Sequence, residues 1–162
     1  MIVVTDTSVV LNLCLIGREA LLPELFGKVI APETVAGEFQ RLAIQDPRFH
    51  GLVFPEFVEK VVSVTSLPST ISVRGLHDGE IAAISLALER KADAILMDER
   101  AGRSAAVSLG LKPVGLLGIL LEAKALLLIP ALLPLLDRLE TEADFWIGAE
   151  LRNSVLRSAG EA

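Results

Sequence analysis

Short β-branched runs alternate along the chain with longer stretches in which apolar residues recur every three or four positions. Residues 2–5 form the first run, the pattern of a strand buried on both faces, and it stops at the polar triplet Asp6-Thr7-Ser8. Residues 9–16 are apolar and helix-compatible, with Thr7 or Ser8 placed to cap the helix and Gly17 to end it. Residues 18–26 predict a second short helix closed by Gly27, and residues 28–31 a second strand. Pro32 suits the first turn of a third helix, in which Val35, Phe39 and Leu42 share a face. Pro47, Gly51 and Pro55 predict an irregular connection over residues 46–60, with one helical turn. A third strand is expected at residues 61–65 and a loop at 66–76. His77-Asp78-Gly79 then opens a helix with Ile81, Ile84 and Leu88 on one face. Residues 94–97 read as a fourth strand running into Asp98-Glu99, residues 100–109 as a helix closed by Gly110, and residues 112–114 as a fifth strand.

Strands alternating with helices of about ten residues predict an α/β fold, a three-layer α/β/α sandwich around a mostly parallel central sheet. Residues 1–140 are expected to form this domain, with two very apolar helices between residues 116 and 139 broken at Pro130. Residues 141–162 read as a C-terminal tail, in which Leu151, Val155 and Leu156 outline a short helix packing on the domain or on a partner.

The chain has 162 residues, 52% hydrophobic and 22% charged, which excludes disordered and low-complexity classes. Its one cysteine, Cys14, reads as core; with only His50 and His77 beside it, neither a disulfide framework nor a Cys/His zinc cage can be built. A reducing, cytoplasmic setting is expected. A mean hydropathy of +0.56 raises the question of a membrane span around residues 114–136. Glu122 and Lys124 interrupt that stretch, and the longest uncharged run, residues 125–136, is too short for the roughly 20 residues a spanning helix needs. Buried helices and no membrane span are therefore expected, and the N-terminal run, with Asp6 inside it and no basic flank, predicts no export signal. The net charge is −6 with no basic run, so a nucleic-acid partner would require something to offset the protein's own field.

Two predicted strands run directly into an aspartate, Asp6 and Asp98, and in open α/β sheets ligands bind at the carboxyl ends of strands. The plain alternative is that each caps the helix that follows. Glu38 and Glu80 sit on helices at the border of an apolar stripe, where a carboxylate costs free energy unless it is paired or metal-bound. Their plain alternative is a boundary position with Arg41 or Arg90 nearby. Arg100 and Arg103, one turn apart after Asp98, could hold substrate phosphate or simply face solvent. His77 reads as a cap or lining of the Glu80 helix. No phosphate-binding glycine loop is present, since GLLGILL has the wrong spacing.

Four segments, VVTDTSVVLNL, PETVAGEF, HDGEIAAISLALERKADAILMDERAGR and LGLKPVGLLGILLEAKALLLIPALLPLLDRL, together resemble the PIN-domain family. The resemblance covers about residues 1–140 and is closest to a prokaryotic branch of nucleic-acid-binding proteins related to the toxins of type II toxin–antitoxin pairs. It implies a ribonuclease whose acidic residues gather around one or two Mg²⁺ or Mn²⁺ ions. The family's four acidic positions match Asp6, Glu38, Glu80 and Asp98, and its supporting hydroxyl matches Ser8. Relatives often carry two aspartates where this chain has Asp98-Glu99, which leaves the role of Glu99 open.

Elementary chemistry agrees with that set. Hard divalent cations prefer carboxylate oxygen, and a bound cation would relieve the mutual repulsion of the carboxylates and admit a polyanion. A metal-dependent endoribonuclease is thus expected, acting on RNA, as a homodimer or under a small antitoxin protein that covers the oily 116–136 region. Two rivals remain. A phosphatase with Asp6 as nucleophile would want a second aspartate where Ser8 stands. A PIN-like binding module without catalysis keeps the fold and lacks the activity.

Overall fold

The computed structural model describes residues 1–63 and 66–162. Its elements run β1 (Val3–Thr5), α1 (Thr7–Leu15), α2 (Leu21–Phe26), β2 (Val29–Pro32), α3 (Glu33–Gln45), β3 (Val58–Val61), α4 (Asp78–Glu89), β4 (Ala94–Leu96), α5 (Arg100–Ser108), β5 (Pro113–Val114), α6 (Leu116–Ala125), α7 (Leu133–Glu142) and α8 (Ala149–Ser158). A single 3₁₀ turn, Pro47–Phe49, follows α3. Every strand pair is parallel and the strand order is β3-β2-β1-β4-β5.

Alternation along the strands divides the core into two layers, because successive side chains leave a strand on opposite faces. Val3, Val29, Ala94 and Leu96 pack with Val10, Leu13, Phe39, Leu120 and Leu136 from the helices of one face, and α8 adds Val155 and Leu156 to the same layer. Val4, Ile30, Ile95 and Met97 pack with Ala83, Ile84, Leu86 and Ala106 of α4 and α5 on the other. The expected three-layer sandwich is the observed one. Helix α4 is buried over most of its circumference: Ile84 is fully covered, whereas Ile81 and Leu88 of the expected face are half-buried. Small side chains, Ala82, Ala83, Ala87 and Ser85, let it sink between sheet and neighbours.

Two expectations are corrected. The third strand is Val58–Val61 and not residues 61–65, of which 64 and 65 lie outside the described residues. It is an edge strand that carries Glu59 and Lys60 exposed, with Glu59 paired to Lys28 at 3.0 Å, so the charged edge hides a strand from a search for apolar runs. Helix α1 starts at Thr7 and is capped by Asp6, whose carboxylate accepts the Val9 N–H at 3.0 Å; Thr7 and Ser8 do not cap it. The oily 116–136 stretch goes mostly inside, with Leu116, Ile119, Leu120, Ile129, Leu132, Leu135 and Leu136 all buried. Among the described residues no helix is long and apolar enough to cross a membrane.

Candidate active site

Strands β1 and β4 are neighbours, yet each has its next chain-sequential strand on its other side, so the order reverses between them. This is the switch point at which helices leave on opposite sides and open a crevice. Asp6 follows β1 and Asp98 follows β4; Thr5 stands opposite Leu96, and the Asp6 N–H donates to Leu96 O at 3.0 Å. The two aspartates therefore sit side by side at the carboxyl edge of the sheet.

Asp6 is buried and does cap α1, but among the described residues its second oxygen has only the Ser8 hydroxyl, 3.4 Å away, for company. Asp98 does not cap the helix after it. Its Oδ1 instead accepts the Leu116 N–H of α6 at 2.9 Å, and its buried Oδ2 has no hydrogen-bond partner among the described residues. Glu80, at the third position of α4, is buried; Oε1 accepts the His77 N–H at 3.0 Å and Oε2 is likewise unpartnered. Glu38 of α3 takes neither Arg41 nor Arg90. It accepts the Thr7 hydroxyl at 2.6 Å and the Gly79 N–H at 3.0 Å, tying the starts of α1 and α4 together. A cleft of about 490 Å³ opens onto Asp6, Ser8, Glu38 and Glu80.

Burial pushes the Asp6 carboxyl well above the usual carboxylate range, against the Val9 N–H and with help from the charges of Asp98 and Glu80. Burial also raises Asp98, opposed by the Leu116 N–H and Arg103, and raises Glu80, opposed by the His77 N–H. Carboxylates kept this dry, with oxygens that no group among the described residues satisfies, are the kind of arrangement found at ligand sites.

Three glycines make the arrangement possible, and the sequence alone tied none of them to the carboxylates. A Cβ at Gly79 would collide with Glu38 Oε2; one at Gly102 would stand 2.6 Å from Glu80 Oε2; one at Gly115 would stand 2.8 Å from Asp98 Oδ1. The absent side chains let three helices approach three carboxylates. Only Gly79, beside Glu80 in the HDGE step, carried a local signal. Thr7 was also missed, because in sequence it read as a cap. Arg103 is held by its Nη1 donating to Met97 O at 3.0 Å, while Arg100 is exposed.

The donors present fit a hard divalent cation: they are carboxylate oxygens, two of them buried and unpartnered, with neither thiolate nor imidazole among them. Among the described residues no three His, Cys, Asp or Glu side chains stand close enough to enclose an ion unaided.

Fold and site define a doubly wound α/β protein with a carboxylate-lined crevice at its topological switch point. The chain belongs to the PIN-domain family, since the family model DUF3368, a PIN domain, matches residues 2–161. PIN domains are in general nucleases, hydrolases that bind nucleic acid and use divalent metals. No curated protein and no solved structure gives a significant match to the chain.

Proposed function

We propose that the protein is an Mg²⁺- or Mn²⁺-dependent endoribonuclease whose acidic set is Asp6, Glu38, Glu80 and Asp98. The observation that carries this reading is the pair of buried, unpartnered oxygens, Glu80 Oε2 and Asp98 Oδ2, beside Asp6 at the switch point. A divalent cation held there would polarise the scissile phosphodiester and acidify the attacking water. The chain's own residues do the placing. Asp6, Glu80 and Asp98 present oxygens from β1, α4 and β4; Ser8 orients Asp6; Glu38 locks α1 to α4 and so sets the distance between Asp6 and Glu80. Arg100 and Arg103 lie on the far side of Asp98, where they can hold substrate phosphates.

The same reading makes the chain a homodimer, or the toxin half of a toxin–antitoxin pair covered by a small protein. Leu126, Leu127, Leu128 and Leu133 remain exposed around the α6–α7 turn, at 55%, 86%, 37% and 41%. A second reading, a binding module without catalysis, is favoured by the lack of any three close ligands among the described residues.

Cleavage of mixed RNAs with and without chelator separates the two. In the wild type, Mn²⁺ at a hundredfold excess over Kd should stabilise the fold by about 2–3 kcal/mol and support cleavage. Asp98→Asn should lose both while its metal-free stability holds or rises, because a buried charge is removed. A variant that keeps the full Mn²⁺ shift on melting refutes the ligand role of Asp98.

A further inference from the structure

The lining of the acidic cleft extends beyond the acids, to Leu11 and Asn12 of α1, Leu42 of α3, Phe49 of the 3₁₀ turn, and Ala143 and Phe145 after α7. Asn12 is the one amide in the buried middle of α1. It is 8% exposed, between Leu11 and Leu13 at 3% and 0%. It follows Ser8 by four residues, so the two share a face of the helix, and it stands one turn, about 6 Å, farther along the axis from Asp6.

The Oδ1 of Asn12 is buried and has no hydrogen-bond partner among the described residues. Its own helix cannot supply one, because each N–H in a helix interior is spent on the carbonyl four residues back. Leu11, Leu42, Phe49 and Phe145 on the walls carry no side-chain donor. Of the two arginines that line the cleft, Arg48 is spent on Asp46 and the Ala143 carbonyl, and Arg41 is exposed. An unpaired amide in an apolar helix costs the fold free energy, and leucine would suit the position better. Stability therefore gives no reason for Asn12, whereas a ligand entering the cleft does.

The atom left over is an acceptor, so its complement is a donor. Phosphate oxygens only accept and cannot serve it. On a nucleic-acid strand the donors are the N–H groups of unpaired base edges and the ribose 2′-hydroxyl. We propose that Asn12 is a specificity-determining residue, whose Oδ1 accepts a hydrogen bond from an N–H or O–H donor of a substrate nucleotide lying along α1. The proposal rests on the ribonuclease reading and deepens it by naming the group that selects the nucleotide.

The test gives the full chain, with Mg²⁺, labelled single-stranded RNAs of about eight nucleotides, and reads both binding and cleavage. At each position in turn, one arm replaces the base by an analogue that lacks the donors of its Watson–Crick edge, and the other replaces the ribose by 2′-deoxyribose. In the wild type one such replacement, at one position, should lower kcat/KM about tenfold or more. In Asn12→Leu the same replacement should make no difference, and the arm that responds says whether the donor belongs to base or ribose. Asn12→Leu should also melt at or above the wild type, by up to about 4 °C, since an unpaired polar group has left the core. Should leucine overpack the site, Asn12→Ala carries the same comparison. Equal sensitivity of wild type and variant to every replacement overturns the proposal and leaves the ribonuclease standing; a leucine variant that also melts several degrees low then assigns the amide to the fold. A wild type that binds with this selectivity, lost in Asn12→Leu, but cuts nothing keeps the role of Asn12 and sinks the ribonuclease reading. One that neither binds nor cuts sinks both.

Discussion

Each carboxylate in the crevice is shaped by what lies within a few ångströms of it, and glycine is as decisive there as the acids. Replacing Gly102 by alanine puts a Cβ 2.5 Å from Met97 Sδ and 2.6 Å from Glu80 Oε2. The Glu80 carboxylate ends a flexible side chain and can move aside, whereas Met97 is fully buried and must shift within the core, a cost that the gain of up to about 1 kcal/mol in helix propensity of alanine over glycine partly offsets. Gly102→Ala should therefore melt within a few degrees of wild type but cleave RNA at least about tenfold more slowly, because the oxygen that moves is the unpartnered one. Unchanged cleavage would remove Glu80 from the acidic set. The same three carboxyls set the response to acid. Asp6, Glu80 and Asp98 are raised above their ordinary values of 3.8, 4.5 and 3.8, so the folded state holds protons that the unfolded chain has released. Metal-free stability should consequently fall as pH rises from the ordinary carboxylate range through the raised values, and the slope should shrink in Asp98→Asn. Melting in chelator across a pH series running upward from the ordinary carboxylate values tests this; a melting temperature that climbs with pH throughout contradicts it.

Several helix ends in this protein are satisfied from distant parts of the chain. Asp98 caps α6 from the end of β4, and Arg138 of α7 donates to the Leu15 and Ile16 carbonyls at the end of α1. Helix α7 has no side-chain cap of its own; Glu161 supplies one, accepting the Leu132 and Leu133 N–H groups at 2.7 and 3.0 Å while pairing with Lys124 at 2.9 Å. Burial alone would raise the Glu161 carboxyl, but those donors outweigh it and hold it below 4.5. Its contribution is therefore present above the ordinary value and lost as pH falls through the depressed one, opposite in sign to that of the crevice acids. Glu161→Gln should cost about 1–2 kcal/mol at neutral pH, and the difference from wild type should vanish at strongly acid pH. Thermal melts at neutral pH and in strong acid measure it; a neutral-pH difference near zero would show that the cap contributes nothing.

For the molecule as a whole, the apolar excess anticipated between residues 116 and 136 is absorbed by the core except at one corner, Leu126 to Leu128 with Leu133. Leu127 stands there with φ +62°, a left-handed geometry that asparagine tolerates better than leucine. If a second copy covers this corner, burying on the order of 1,600 Å² in total, Leu127→Asn should split the dimer without lowering monomer stability. Sedimentation at micromolar concentration decides between dimer and monomer. A wild type that runs as a monomer in the absence of any partner removes the dimer.

The strand-to-aspartate steps at Asp6 and Asp98 were legible from residues alone, because a buried parallel strand is an unbroken apolar run and an acid at its end cannot be core. So were the α/β order, the glutamates at the edges of apolar stripes and the motifs that mark the family, all of them local patterns. Tertiary structure alone decided what those acids do. Asp98 could have capped its own helix but caps α6 instead; Glu38 found a threonine and a glycine N–H in place of an arginine; Gly102 and Gly115 matter only because other elements press against them. The β3 edge was misread for the same reason, since Glu59 and Lys60 are tolerable in a strand only where one side has no neighbour. Periodicity records which face of an element is dry, whereas the partner across that face is chosen by packing between segments far apart in the chain.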